Sequence, residues 1–183
     1  MPGRSIFLVA LLLLTPMSQF IDASAASSGR SMACNGDICL SEVMPNPNGY
    51  DNASWPGGEW VELHNTGTTD ISILNWQLSN KASRTLDLNS ATIVDYDSQN
   101  SSSWTISAGD YMVIARNGTP TSQFYLSNTA DALDLFDSTG IRVDQASWNG
   151  SNSGSSKIAD SANAVYDWID ESNPSPGQAN GGG

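Results

Sequence analysis

Short apolar-patterned runs alternate with turn residues along most of the chain. No stretch holds a helical period over the roughly ten residues a helix needs. The runs are Ile38 to Met44, Glu59 to Leu63, Ile71 to Leu78, Thr85 to Leu88, Ala91 to Val94, Trp104 to Ile106, Tyr111 to Ile114, Ala132 to Phe136, Ile141 to Trp148 and Val165 to Ile169. Pro45-Asn46-Pro47-Asn48-Gly49, Ser54 to Gly58, Asn65-Thr66-Gly67 and Asn117-Gly118 punctuate them, each with residues that favour turns on local chemistry. In the third run, Leu74, Trp76 and Leu78 alternate, so a single strand would place all three on one face. Ala108-Gly109-Asp110 and Asp137-Ser138-Thr139-Gly140 each sit between two runs and predict hairpins. Asp95 to Ser103 reads as a polar loop, and Asn149 to Ser156, rich in Gly, Ser and Asn, as a mobile one. This spacing predicts an all-β antiparallel sandwich or barrel.

The N-terminus follows a different rule. Arg4 precedes an unbroken apolar run from Ile6 to Leu14, too short to cross a bilayer, and Ala23-Ser24-Ala25 offers an A-x-A cleavage site. Residues 1–25 therefore read as a signal peptide, and no later segment is long and apolar enough to span a membrane. Export predicts a disulfide between the two cysteines, Cys34 in a lead-in over residues 26–37 and Cys39 just beyond it, that pins the approach to the first strand. The loop it closes is small, so its effect on stability is modest. The chain ends in a Pro- and Gly-rich tail, 174–183, that resembles a linker.

Charge narrows the partners. The net charge is −12, with only two lysines, and Asp outnumbers Glu 15 to 4. Such a surface repels phosphate backbones, which argues against nucleic acid as a partner. It would stay soluble in salt or attract cations, and Asn46, Asn48, Asp51 and Glu59 are the candidate calcium ligands, since hard cations take clustered carboxylate and amide oxygens. Asp95 and Asp97 form a second acidic loop. Neither group matches an established calcium loop, and Asp and Asn also serve turns for their own reasons. Sequons stand at Asn52, Asn100, Asn117 and Asn149 and matter only where the source cell glycosylates.

Catalytic chemistry finds little support. His64 is the sole histidine, and nothing marks one serine as its nucleophile. Glu59 and Glu62 are three apart on a strand and point to opposite faces, while Glu42 and Glu62 could face each other across neighbouring strands as paired carboxylates do in glycosidases. The alternative is that they cap loops, pair with basic residues or stay solvated. Of the six tryptophans, Trp60 and Trp76 fall in strand patterns and read as core. Trp55, Trp104 and Trp148 lie beside loops, where an indole can stack on a sugar or anchor a protein, or else plug the end of a sandwich.

Several pieces, in this order, resemble the lamin-tail domain family, in its secreted prokaryotic form. They are Ile38 to Glu42 leading into Met44-Pro45-Asn46-Pro47; Glu59-Trp60-Val61-Glu62-Leu63-His64-Asn65; Asn75-Trp76-Gln77-Leu78; Ile106-Ser107-Ala108-Gly109 with Val113; Asp131 to Asp137 with Gly140 and Val143-Asp144; and Pro176-Gly177-Gln178-Ala179-Asn180. The resemblance covers about Ile38 to Asn180 and implies an immunoglobulin-like β-sandwich over residues 38–173. In nuclear lamins such domains work in protein and DNA interaction beside a coiled coil. This chain has neither coiled coil nor basic patch, so those roles do not carry over. Prokaryotic relatives sit beside secreted nucleases, phosphatases or adhesion modules. The expectation is a non-enzymatic extracellular or cell-surface interaction module whose partner is a protein or a cell-surface polysaccharide. The alternatives are a carbohydrate-binding protein using the loop tryptophans and a secreted hydrolase.

Protein recovered from culture medium is expected to begin at Ala26 or within a few residues of it. N-terminal sequencing that finds Met1 would overturn the signal-peptide reading.

Overall fold

The computed structural model describes residues 36–89, 94–95, 104–159 and 168–180. In chain order the strands are β1 (Ile38–Met44), β2 (Trp60–Asn65), β3 (Ile71–Ser72), β4 (Gln77–Asn80), β5 (Thr85–Asp87), β6 (Val94–Asp95), β7 (Thr105–Ile106), β8 (Tyr111–Ala115), β9 (Ala130–Phe136), β10 (Arg142–Asn149), β11 (Ser156–Ile158) and β12 (Ile169–Glu171). No helix occurs among the described residues. One sheet runs β12-β11-β1-β2-β8-β6 and a second β10-β9-β4-β5, while β3 and β7 pair separately; every pairing is antiparallel. The fold is the expected immunoglobulin-like β-sandwich.

Alternation builds the core. Val61 and Leu63 of β2 and Met112 and Ile114 of β8 enter it from the larger sheet, and Leu78, Leu133, Leu135, Ala146 and Trp148 from the smaller. The intervening residues of β2 and β8 point to the outer face of the larger sheet. There Met44, Trp60, Val113 and Ala115 form a second apolar cluster with Trp55, under the loop between β1 and β2. Gly58 lets that loop close: a Cβ there would lie 2.4 Å from the Ala53 carbonyl oxygen.

β1 breaks the alternation. Leu40 and Val43 both lie in the core although they are three apart, because the β1–β2 register shifts between Leu40 and Glu42. This bulge sends the successive polar residues Ser41 and Glu42 away from the core. All seven residues of β1 are nevertheless buried, so the strand is covered on both faces. β11 pairs with β1 only at Glu42 and Val43. The Leu40 N–H, outside that ladder, donates to Asp144 Oδ2 of β10 at 2.8 Å and so ties one sheet to the other.

Three expectations are corrected. Ile71 to Leu78 is not one strand: Trp76 N–H closes a turn onto the Ile73 carbonyl at 3.1 Å with Asn75 at φ +64°, and the chain leaves β3 to join the second sheet as β4. Leu74, on that turn, is exposed, while Leu78 is in the core. The runs on either side of Ala108-Gly109-Asp110 form a corner, not a hairpin, because β7 pairs with β3 and β8 with β2. Asn65 turns this corner: its Nδ2 donates to the carbonyls of Thr69 and Ile106 (2.8 and 2.9 Å) and its Oδ1 accepts the Gly67 N–H at 3.0 Å. Finally, the polar loop from Asn149 to Ser156 is tied down. Asn46 Nδ2 donates to the Ser151 carbonyl, the Gly154 N–H to the Asn46 carbonyl, and Asn152 Nδ2 to Asp170. The side chains that suggested mobility are partners in its anchoring. The hairpin at 137–140 is present, joining β9 to β10.

The signal peptide, Cys34, residues 91–93, most of the 95–103 loop and residues 165–167 lie outside the described residues.

Replacing Asn65 with Ala strands the buried Ile106 carbonyl and leaves the partly exposed Thr69 carbonyl and Gly67 N–H to water, so the loss of stability is expected to be about 2 kcal/mol. Leu74→Ser, at an exposed turn, should stay within about 0.5 kcal/mol of wild type. Denaturant titration of the two variants checks the corner against the continuous-strand alternative, which predicts the reverse order.

Candidate functional site

The most unusual chemistry lies on the outer face of the larger sheet. Glu42 and Glu62 are direct partners across β1 and β2, and both are 0% exposed. They are buried because residues 172–180 cross this face as a strap. Ser175 donates its N–H to both Glu42 oxygens (3.1 Å each) and its hydroxyl to Oε2 at 3.1 Å, and the Ser156 hydroxyl donates to Oε1. Glu62 accepts the Ser41 hydroxyl on one oxygen and the Gly177 N–H on the other. Asn180 Nδ2 closes the strap onto the Ser41 carbonyl at 2.7 Å.

The strap sequence is shaped for this. The Gln178 N–H returns to the Ser175 carbonyl at 3.0 Å, closing a four-residue turn with Pro176 second and Gly177 third, at φ +82°. Proline presets the second position, and the third needs a residue that tolerates positive φ. The Gly177 N–H is thereby left to Glu62.

Every donor to the pair is a neutral hydroxyl or amide. Burial therefore dominates, raising the Glu42 carboxyl and pushing Glu62 up to about 8, with the like charge of Glu42 adding to the rise. Beside them, His64 stacks on Tyr111 with ring centroids 4.1 Å apart. Burial lowers the His64 pKa. The pair has hydrogen-bonding partners on both carboxylates but no open cleft for a sugar or water, the geometry a glycosidase requires.

A second buried carboxylate is Glu59, which precedes β2. Arg116 Nη1 donates to its Oε2 at 2.6 Å and Nη2 to the Thr119 carbonyl at 2.7 Å, while the Leu126 N–H reaches the same Glu59 oxygen at 3.1 Å. Burial pushes Glu59 up to about 7 against the pull of Arg116. Three of the four proposed calcium ligands have side-chain partners of their own, while Asp51 contributes a backbone carbonyl to the loop and a like charge near Glu59. Glu59 takes the Arg116 cation, Asn46 and Asn48 bond to Ser151 and Ser153, and the Asp51 carbonyl accepts the Glu59 N–H. Among the described residues no three His, Cys, Asp or Glu side chains gather as a metal site.

The tryptophans divide. Trp104 and Trp148 are 4% and 2% exposed, and Trp148 Nε1 donates to the Ser127 carbonyl, so both are core residues and offer no stacking face. Trp55 is half-buried, edge-to-face with Trp60. Cys39 is buried in β1, 3.9 Å from the Thr66 hydroxyl, and its expected partner Cys34 lies outside the described residues.

Asp144 escaped the reading of the sequence as a site residue. Burial pushes it up to about 6 while it accepts the Leu40 N–H. Its only signal was its place in the Val143-Asp144 motif.

Tyr50, Leu74, Ile141 and Ile169 are the large hydrophobic side chains exposed among the described residues. Leu74 and Ile141 are 44% and 61% exposed. They adjoin in sequence Asn75 and Gly140, which with Gln77, Phe136, Asp137 and Ser138 line an open hollow of about 350 Å³ between the β3–β4 corner and the β9–β10 hairpin.

The family model for the Lamin Tail Domain matches residues 31–150. No curated protein and no solved structure matches the chain.

The raised carboxyls fix the sign of the pH dependence. The folded chain holds protons at Glu42, Glu59, Glu62 and Asp144 that the unfolded chain releases from about pH 4.5 upward. Their contribution is full below that pH and is lost as pH rises, through about 6 for Asp144, 7 for Glu59 and 8 for Glu62, with Glu42 acting in the same direction. His64, lowered by burial, acts in the opposite sense, as does Asp137 in the acid range, where hydrogen bonds from Thr139 and Ile141 lower it. The melting temperature is expected to be higher at pH 5 than at pH 8.5. Arg116→Met leaves Glu59 buried without its cation and should cost about 3–5 kcal/mol at pH 8.5. The cost should be smaller at pH 5, where Glu59 takes up a proton. An equal cost at both pH values would count against a protonatable Glu59.

Proposed function

The chain belongs to the Lamin Tail Domain family, and on that premise we propose that it is a non-catalytic interaction module, secreted or held at the cell surface. The observation that carries this reading is the sealing of Glu42 and Glu62, the pair best suited to hydrolysis, beneath the strap. The apparent signal peptide and the strongly acidic surface support an extracellular setting.

The contact surface we assign is the end of the sandwich holding the 350 Å³ hollow, with the exposed Leu74 and Ile141 next in sequence to its lining residues Asn75 and Gly140. Exposed aliphatic side chains beside a concavity with amide and carboxylate groups suit a protein partner, which can bury the former and hydrogen-bond the latter. The sugar-binding alternative retains Trp55 but loses Trp104 and Trp148 to the core.

Crosslinking capture from native secreted and cell-surface fractions tests this. The expected outcome is a protein recovered repeatedly by the mature domain and reduced at least tenfold by the double variant Leu74→Asp, Ile141→Asp. Recovery of polysaccharide alone, abolished by Trp55→Ala, would transfer the function to sugar binding. A hydrolytic activity that disappears in Glu62→Gln would overturn the non-catalytic reading.

A further inference from the structure

We propose that the strap over residues 172–180 is a proton-operated latch, closed while the Glu42–Glu62 pair keeps a proton and released as the pair ionises. The argument begins with what faces the pair. β1 supplies the Ser41 hydroxyl and β11 the Ser156 hydroxyl. The strap supplies the N–H groups of Ser175 and Gly177 and the Ser175 hydroxyl. None of these is charged.

The charged and titratable groups around the pair bring no compensating cation. Glu171 of β12 adds a like charge to Glu42. Lys157 of β11 is paired with Asp170 of β12 at 2.8 Å. Tyr111 of β8 feels Glu62 as a neighbouring negative charge and is stacked on His64 of β2. Among the described residues, no Lys, Arg or His forms an ion pair with Glu42 or Glu62.

Two carboxylates side by side, both dry and both without a cation, cannot both ionise at small cost. Lifting the strap lets water reach them. The strap-open state therefore releases protons near the ordinary Glu value of 4.5, whereas the closed state holds one on Glu62 up to about 8. By linkage, the open-to-closed ratio rises about tenfold per pH unit between these values. Because the strap is held by hydrogen bonds to Glu42, Glu62 and the Ser41 carbonyl and is no part of the β1–β2 ladder, it can leave without unpairing β1 from β2.

Glu59 and Asp144 also hold protons, so global stability falls with pH for reasons unrelated to the strap. The test must be local. Hydrogen–deuterium exchange of the full chain at pH 5, 6 and 7, corrected for intrinsic chemical exchange, compares residues 172–180 with the β1–β2 ladder. The expected result is at least a tenfold loss of strap protection between pH 5 and pH 7, with the ladder still protected. Glu62→Gln, permanently neutral and nearly isosteric, should abolish most of that pH dependence. Equal strap protection across the range in wild type, or an undiminished loss in Glu62→Gln, would overturn the latch. Should Glu62→Gln not fold, carboxyl carbon NMR of wild type decides. One of the two buried glutamates titrating above pH 6 supports the latch, and both titrating near 4.5 refutes it.

Discussion

The bulge in β1 constrains the whole molecule. By inserting one residue between Leu40 and Val43, it keeps both aliphatic side chains in the core and turns Ser41 and Glu42 outward together. A central strand with a carboxylate on its outer face, opposite another on β2, needs either water or a set of donors there. The structure supplies donors: Ser156 from β11 and the strap from the end of the chain. The larger sheet thus becomes a layer covered on both sides, with apolar residues under the β1–β2 loop and carboxylates under the strap.

Burying ionisable groups in this way is a weak source of stability. Desolvation opposes it, and a well-packed apolar face would be as stable or more so. What the polar face adds is direction. An apolar face would accept any greasy segment, whereas two carboxylates at a fixed separation accept one whose N–H groups match them. The Ser175-Pro176-Gly177-Gln178 turn has that match, through the positive φ of Gly177 and the preset proline. Glu59 and Arg116 do the equivalent for the loop beyond β8, where the guanidinium also gathers the Thr119 carbonyl and the Thr121 hydroxyl.

Much of the sandwich was legible in the sequence, because alternation and turn residues report directly on strands that have one wet and one dry face. β9 and β10 are the clear cases: Asp137 to Gly140 marks their turn and Leu133, Leu135, Ala146 and Trp148 their inner face. The reading failed where that premise fails. In the Ile71 to Leu78 run, alternation continued across a residue that bends the backbone, and Asn75 at positive φ carried no mark that distinguished it from a strand asparagine. Glu42 and Glu62 were correctly seen as facing each other, but a polar residue at an alternate position reads as solvent-facing. Only the distant Pro176-Gly177 motif could have suggested a cover, and motif order does not say where a tail lands. Trp104 and Trp148 look loop-borne in the sequence because their neighbours are polar, yet their burial depends on contacts made in three dimensions.

The distances in sequence across the carboxylate face have a kinetic meaning. Ser156 reaches Glu42 across 114 residues and Ser175 across 133, whereas β1, ending at Met44, and β2, beginning at Trp60, are joined directly by one loop. Closing such long loops is entropically costly and slow, and it cannot begin until residues 156 and 175 are available. As the chain emerges from a ribosome or a translocation pore, the β1–β2 ladder can assemble early, with its two carboxylates still hydrated. The outer face is completed only when residues 172–180 follow, more than a hundred residues later. Until residues 172–180 arrive, the pairing of β1 with β2 therefore leaves two wet carboxylates on neighbouring strands that the folded domain keeps dry.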